Sequence, residues 1–330
     1  MTVLLTGGTG FIGSHMAAKL LTKNINFIVV DNLSNSNKDQ LNKLEKFFQK
    51  KIPFYKYDIC EKDRIEELLN KYDIESVIHF AGLKSLSESI NHPSLYYENN
   101  VIGSKKLIEL IKKFNIKKFI FSSSATVYGE PKYLPIDETH PLSASNPYGQ
   151  NKIDIESIIK NDSFFSKSCS TKILRYFNPV GSFTNGIIGE IPRGVPNNLM
   201  PYLLGVVNGD YPFLNVYGDD YNTPDGTAIR DYIHVMDLVD AHYKALKDDE
   251  LGIDILNVGS GQGYSVMQLI NTFENINNLE IPYKIIGRRY GDVEICFADS
   301  KKIKKKLNWK PRFDLRKICK DAYNFSLQFK

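Results

Sequence analysis

Along the first half of the chain, short apolar runs alternate with longer stretches whose apolar positions recur every three or four residues. The runs Val3–Thr6, Phe27–Asp31, Phe54–Tyr57, Ser76–Phe80, Lys118–Ser122 and Lys172–Arg175 predict strands. Residues 12–23, 61–72, 94–114 and 147–160 predict helices. Strands and helices alternating at this spacing form βαβ crossovers, which lay the strands parallel in one sheet. The fold class expected is therefore α/β, a doubly wound parallel sheet with a smaller α/β region at the C-terminal end. From 178 to 228 the pattern breaks into Gly, Pro, Asn and Asp with short apolar pieces. A loop-rich stretch of that length in a compact protein marks a binding region. Regular pattern then resumes with a strand over Ile229–Val235, a helix over 237–247, a strand over 255–258, and helices over 265–275 and 315–327. The reading gives one domain over 1–177 and a second over 178–330, with 229–258 returning to the first.

Composition narrows the function. Of 330 residues, 42% are hydrophobic and 24% charged, enough for a large core and incompatible with wholesale disorder. A net charge of +4 is too small at this length to imply a general polyanion partner such as nucleic acid. The one dense charge cluster, KKIKKKLNWK at 301–310, reads as a solvated helix face, since Trp309 is its only aromatic residue. Cysteines 60, 169, 296 and 319 show no Cys-x-x-Cys spacing, and the six histidines show no His-x-x-x-His spacing. Neither a disulfide scaffold nor a metal site is expected. There is no apolar run of 18 residues, and the start MTVLLTG lacks the pattern of a signal peptide. These features point to a soluble cytoplasmic protein without a membrane partner.

Two constellations carry chemistry. Gly7, Gly10 and Gly13 stand in Thr6-Gly-Gly-Thr-Gly-Phe-Ile-Gly13, between the first strand and the first helix. Glycine backbone makes the tight turn and approaches a pyrophosphate closely, while the helix N-terminus offers free N–H groups. Asp31 ends the second strand 18 residues after Gly13. A carboxylate there accepts from ribose hydroxyls and repels a 2′-phosphate, and no Lys or Arg intervenes before Lys38. The sheet is thus of Rossmann type and the cofactor expected is NAD rather than NADP. The second constellation is Tyr148-Gly-Gln-Asn-Lys152 with Ser124 after the fifth strand. At i and i+4 the tyrosine and lysine share a helical face. An ammonium beside a phenol favours the phenolate, so the Tyr148 pKa is expected to fall and Tyr148 to serve as a base. A serine beside it hydrogen-bonds the substrate hydroxyl.

Together these features resemble the extended short-chain dehydrogenase/reductase superfamily and, within it, the UDP-glucose 4-epimerase family. The resemblance is carried by TGGTGFIGSH (6–15), DNLSNS (31–36), HFAGLKS (79–85), FSSSATVYGE (121–130), PYGQNK (147–152), LRYFNPVG (174–181), VPNNLMPY (195–202) and DGTAIRDYIHVMDL (225–238), which span nearly the whole chain. It implies a homodimeric enzyme that inverts C4 of a UDP-hexose through a 4-keto intermediate, with NAD as cofactor. By the same resemblance Phe11 and Ile12 lie along the pyrophosphate. Asp31, Asn32, Leu33, Ser34, Asn35 and Ser36 hold the adenosine ribose, and Asp58 and Ile59 the adenine. Phe80, Ala81, Gly82, Leu83, Lys84, Asn99 and Phe177 line the inner cofactor wall, and Lys152 reaches the nicotinamide ribose. For the substrate it implies Lys84, Ser124, Thr126 and Tyr148 at the sugar, and Asn178 at the sugar or a phosphate. Asn198, Leu199, Asn215, Val216 and Tyr217 fall at the uridine, Arg230 and Arg289 at the diphosphate, and Asp292 at its ribose.

Cys296 matches a wall of the sugar pocket, where the family's tyrosine-bearing members keep to UDP-glucose and UDP-galactose and those with a small residue also take the N-acetylated sugars. Tyr290 is another side chain that would fill that space. Between Tyr148 and Lys152, Gln150 and Asn151 depart from the family's usual Ser or Lys and are expected to point away from the reacting face. Phe183, Ile187 and Ile188 are local variations of the 182–191 loop. Three rivals remain. A nucleotide-sugar 4,6-dehydratase on the same fold needs an acidic pair where this chain has Ala125 and Thr126. An NAD-dependent reductase would release its cofactor at each turnover. A non-catalytic nucleotide sensor has no use for Ser124, Tyr148 and Lys152.

Overall fold

The computed structural model describes residues 2–183, 186–289 and 291–329. Its elements run β1 (Thr2–Thr6), α1 (Phe11–Thr22), β2 (Asn26–Val30), α2 (Asp39–Phe48), β3 (Phe54–Tyr55), α3 (Lys62–Lys71) and β4 (Ile74–His79). Next come α4 (Leu86–Asn91), α5 (Pro93–Tyr96), a π-helical turn (Tyr97–Ile102), α6 (Gly103–Lys113), β5 (Lys118–Ser124) and a 3-10 turn (Ala125–Tyr128). Then follow α7 (Pro147–Lys160), α8 (Ser163–Lys167), β6 (Ser170–Tyr176), β7 (Asn178–Val180), α9 (Leu199–Asn208), β8 (Leu214–Tyr217), β9 (Ile229–Arg230) and β10 (Tyr232–His234). The chain closes with α10 (Val235–Lys247), β11 (Gly252–Val258), β12 (Tyr264–Ser265), α11 (Val266–Asn277), β13 (Tyr283–Ile286), β14 (Ile295–Cys296), α12 (Lys301–Leu307) and α13 (Leu315–Ser326).

The described residues divide into two compact units. The first comprises 1–129, 141–176 and 239–256; the second comprises 130–140, 177–238 and 257–330. The returning segment is thus 239–256, not 229–258, and 130–140 joins the second unit.

A seven-stranded sheet with order β11-β6-β5-β4-β1-β2-β3 forms the centre of the first unit. Its pairs β1–β2, β1–β4, β2–β3, β4–β5 and β5–β6 are all parallel. The doubly wound α/β class expected from the alternation is the one found. Val3, Leu4, Leu5, Val29, Val77, Phe119, Ile120 and Ile173 are solvent-free, as strands covered on both faces require. The strand order reverses between β1 and β4, so the carboxyl ends of these strands mark the switch point where such sheets take ligands.

The core of the second unit joins Met200, Leu203 and Leu214 to Leu269, Phe273 and Ile318. Burying each such side chain contributes about 1.5–3 kcal/mol. Around it lie the pairs β7–β10 and β8–β13 and the three-stranded sheet β12-β9-β14.

Some elements differ from the pattern-based expectation. The single strand over Ile229–Val235 is two, β9 and β10, in different sheets. Asp231 breaks it: its buried carboxylate accepts from the amides of Ser260, Gly261 and Ala298. Helices α2 and α9 and strands β8 and β13 fall where no element was expected. The helix expected over 94–114 contains the π-helical turn at 97–102. In the lysine cluster, Ile303 and Trp309 are buried, the indole N–H donates to the Asp237 carbonyl at 3.1 Å, and Lys301, Lys302, Lys304 and Lys305 face solvent. No helix among the described residues is long and apolar enough to cross a membrane.

Candidate active site

At the carboxyl end of β1, Gly7 takes φ +70° and donates its amide to the Val30 carbonyl. A Cβ on Gly13 would run into the Gly7 carbonyl oxygen and stand 2.7 Å from the Gly8 Cα. The turn therefore admits only backbone, and α1 begins at it without a side-chain cap on its first amides. Uncapped amides at a glycine-walled helix start fit a pyrophosphate. Phe11 and Ile12 open that helix half-exposed.

Asp31, buried at the end of β2, accepts from the Thr9 amide at 3.1 Å, the Leu33 amide at 2.9 Å and the Ser36 hydroxyl at 3.0 Å. Ser36 also meets the Thr9 hydroxyl at 2.6 Å. The glycine turn and the 31–36 loop are tied through one carboxylate, and Leu33 is held at φ +61°, a conformation costly for a β-substituted residue. Asn32 donates to Asp58 at 2.7 Å, which brings the expected ribose and adenine loops together. Ser34 and Asn35 are exposed, and Ile59 is buried beneath Gly103. These residues fit a dinucleotide: an uncapped helix start for phosphate, and beside it a carboxylate for ribose hydroxyls.

Past β4, Phe80 packs against His242 with ring centres 4.8 Å apart, and Ala81, Gly82 and Leu83 follow half-exposed. Lys84 is exposed. Asn99 is half-buried in the π-helical turn, but its neighbour Asn100 does the positioning. The Asn100 amide group accepts from the Leu83 N–H at 2.8 Å and donates to the Leu83 carbonyl at 3.0 Å. Nothing in the local pattern distinguished Asn100; only the packing of the π-helical turn against this loop does.

The reacting group candidates converge at the end of β5. Ser124 caps the 3-10 turn, accepting from the Thr126 amide at 3.2 Å and from the Thr126 hydroxyl at 3.0 Å. Its own proton is left for Tyr148, to which it is hydrogen-bonded. Tyr148 and Lys152 share one face of α7, with the lysine ammonium 5.7 Å from the centre of the tyrosine ring. Lys152 donates to the Ser122 carbonyl at 2.9 Å. The expected fall of the Tyr148 pKa is not what this environment produces. Burial pushes the phenol up to about 12, and the Ser124 bond works only partly against it. Burial also pushes Lys152 down to about 8 while the Glu156 carboxylate resists. Desolvation of both groups outweighs their proximity. Between them Asn151 is buried, and Gln150 is exposed and donates to Asp154.

In the second unit, Asp292 gathers both arginine candidates. Arg289 grips it through Nη2 at 2.8 Å and Nε at 3.1 Å, and Arg230 stands 3.8 Å away. Burial opposes the Arg289 charge, but the Asp292 carboxylate more than offsets that and raises its pKa. Arg230 therefore faces Asp292, and the adjacent Asp231 is engaged elsewhere. Two guanidinium forks side by side suit phosphate oxygens. Cys296 pairs in register with Arg230 across β14 and β9, half-buried, its thiol pushed up to about 11 by burial.

Tyr217 is exposed and Asn215 half-buried on β8, and the Val216 side chain between them turns into the core. Asn198 is exposed at the start of α9 without capping it; its amide approaches Glu190 at 3.4 Å. Leu199 is half-buried, Phe177 is buried, and Asn178 is exposed, its amide donating to the Asp231 carbonyl. Phe183 and Ile188 are buried and joined by a backbone bond at 3.0 Å. Tyr290 lies outside the described residues.

The chain is similar to known proteins over nearly its whole length. A family model described as GDP-mannose 4,6 dehydratase matches residues 4–322. A UDP-glucose 4-epimerase of Bacillus subtilis is 44% identical over 98% of this chain and 96% of that protein. The crystal structure of a Bifidobacterium longum UDP-glucose 4-epimerase in complex with NAD+ and UDP has a TM-score of 0.95 and 42% identity, covering 99% of this chain and 98% of that one. The structure of a UDP-Glc/GlcNAc 4-epimerase from Campylobacter jejuni has a TM-score of 0.84 and 33% identity, covering 99% of each chain.

Proposed function

The chain belongs to the UDP-glucose 4-epimerases, within the wider family whose model is described as GDP-mannose 4,6 dehydratase, and we infer that it interconverts UDP-glucose and UDP-galactose with NAD as cofactor. The observation that carries the reading is the meeting of Ser124, Tyr148 and Lys152 at the end of β5, in the unit that carries the glycine turn and Asp31. Ala125 and Thr126 stand where a dehydratase needs its acidic pair, so water elimination has no proton donor there.

In this reading Gly7, Gly10 and Gly13 with the α1 amides hold the pyrophosphate, and Asp31 holds the adenosine ribose. Bound in its oxidised form, NAD supplies a hydride acceptor that carries positive charge and returns the same hydride later. Tyr148 takes the proton of the sugar 4-hydroxyl, Ser124 orients that hydroxyl, and Lys152 steadies the phenolate and the nicotinamide ribose. A 4-keto sugar results and turns over to present the other face of C4, and Tyr148 gives the proton back to the 4-oxygen. Arg230 and Arg289 hold the diphosphate, which keeps the nucleotide in place while the sugar rotates. Asp292, gripped by Arg289 and faced by Arg230, is the group a diphosphate and its ribose would displace or share. The sugars taken include UDP-N-acetylglucosamine and UDP-N-acetylgalactosamine, because Cys296 leaves room where a phenol ring would stand.

A homodimer belongs to the same proposal, supported by the exposed apolar residues Leu86, Ile90, Leu95 and Tyr97 on and beside α4 and α5. A cytoplasmic location does too, supported by four cysteines that are all free thiols. The test is an NMR assay of purified protein with UDP-galactose and no added cofactor, followed by chromatography of the denatured supernatant. UDP-glucose and released NAD(H) are expected. Release of NADP, or no conversion by dinucleotide-loaded protein, would refute the reading.

A further inference from the structure

Behind Tyr148 and Lys152, the same helical face continues to Glu156, one turn further along α7 and fully buried. Its carboxylate is shared. The Ser123 hydroxyl donates to Oε1 at 2.6 Å, and the Arg175 guanidinium of β6 donates through Nε to Oε1 at 2.9 Å and through Nη2 to Oε2. Arg175 also donates to the Tyr128 hydroxyl at 3.1 Å, which ties in the 3-10 turn that Ser124 caps. Ser122, Ser123 and Ser124 are consecutive at the end of β5. The first holds Lys152 through its carbonyl, the second holds Glu156, and the third meets Tyr148.

We propose that Glu156 is a positioning residue for the Tyr148–Lys152 pair: its carboxylate, braced by Arg175 and Ser123, fixes the end of β5 from which both groups are held and sets a negative charge on the lysine's side of the helix. The inference rests on the epimerase reading for its consequence on turnover, but not for its consequence on the lysine. A lone buried ion pair is weak evidence for stability, since hydrophobic replacement is often neutral. Its retention here beside a buried lysine has an electrostatic use. Burial drives Lys152 towards the neutral form, and the Glu156 carboxylate is the charge that opposes this. The other groups facing the lysine are Tyr148 on α7, His79 from β4, and the Phe121 ring from β5 at 4.9 Å. Tyr176 on β6 faces Tyr148. His79 is pushed down to about 3 by burial and by Lys152, so it stands neutral beside the lysine. Glu156 is the carboxylate of this set.

The experiment follows the Lys152 13Cε resonance against pH in the protein as purified, assigned by its loss in Lys152→Met. Glu156→Gln leaves Arg175 buried without its carboxylate and risks unfolding. The double variant Glu156→Gln/Arg175→Gln replaces the ion pair by neutral amides and keeps the test open. In the folded double variant Lys152 is expected to titrate about one unit lower than in the wild type. The alkaline limb of kcat should move to lower pH by the same amount. At pH 8 kcat should fall about fivefold while KM for UDP-galactose changes less than about twofold. Glu156→Asp, which keeps the charge, should leave the titration in place. A folded double variant whose lysine titrates as in the wild type overturns the proposal, whatever its activity. The titration needs no UDP-sugar, so it can fail while the wild type still epimerises. A wild type that fails to epimerise refutes only the functional reading.

Discussion

Lys152 and Tyr148 stand one helical turn apart with the ammonium 5.7 Å from the ring centre, yet the lysine's hydrogen bond goes to the Ser122 carbonyl. Both side chains are nearly solvent-free, and burial moves their pKa values in opposite directions, the lysine to about 8 and the tyrosine to about 12. The folded protein thus holds two groups in environments that disfavour the charges catalysis needs. That is a stability cost tied to function.

The cost is measurable as a dependence on pH. Lys152 titrates at about 8 in the fold against 10.5 unfolded, so between those values the unfolded chain binds more protons and stability rises with pH. Tyr148 titrates at about 12 against 10.0, so from pH 10 to 12 the folded chain binds more protons and stability falls. Replacing Lys152 by Met should therefore stabilise the cofactor-free protein by about 1–3 kcal/mol at pH 7, the lower end allowing for the lost Ser122 bond. The gain should shrink as pH rises from 8 to 10.5. Chemical denaturation at pH 7 and pH 10 checks it; a destabilised variant at pH 7 contradicts it.

Tyr148→Phe keeps the buried ring and removes the hydroxyl. Interconversion of UDP-galactose and UDP-glucose should fall by about 10²–10⁴-fold, with bound dinucleotide and melting temperature retained. NMR turnover assays and dinucleotide content measured on the same preparation decide it. Turnover within a few-fold of wild type would remove Tyr148 from its assigned role.

Gly13→Ala probes the phosphate turn. The added methyl has no place to go, because both the Gly7 carbonyl and the Gly8 Cα are rigid backbone. A destabilisation of about 1–3 kcal/mol is expected, with loss of co-purifying dinucleotide. Gly194→Ala serves as the comparison, since a Cβ there meets nothing within 4 Å, although its φ of +69° brings backbone strain of its own. If Gly13→Ala retains a full complement of NAD(H), the turn does not cradle the cofactor.

Cys296→Tyr tests substrate breadth. The side chain lies half-buried in register with Arg230, so a phenol there would stand beside the arginine assigned to the diphosphate. The variant should lose interconversion of the N-acetylated pair by more than about tenfold and keep the plain hexoses, a discrimination of the size a filled pocket provides. Equal loss on both pairs would show that Cys296 does not select the sugar.

What the sequence determined by itself was local. Strand and helix periods, the glycine triplet and its following acid, and the i, i+4 tyrosine and lysine are short-range patterns, and short-range geometry follows from them. The doubly wound sheet was legible because each crossover is a local unit repeated. Tertiary structure decided the rest, because it depends on which distant segments meet. Asn100 clamps the Leu83 loop across 17 residues, and Asp31 ties two turns through one carboxylate. Asp231 splits a predicted strand by bonding residues 29 and 67 positions away. The direction of the Tyr148 pKa belongs to the same class. Spacing brings the lysine near and favours the phenolate, whereas the packing of α7 on the sheet removes water, and desolvation of a buried charge is the larger effect.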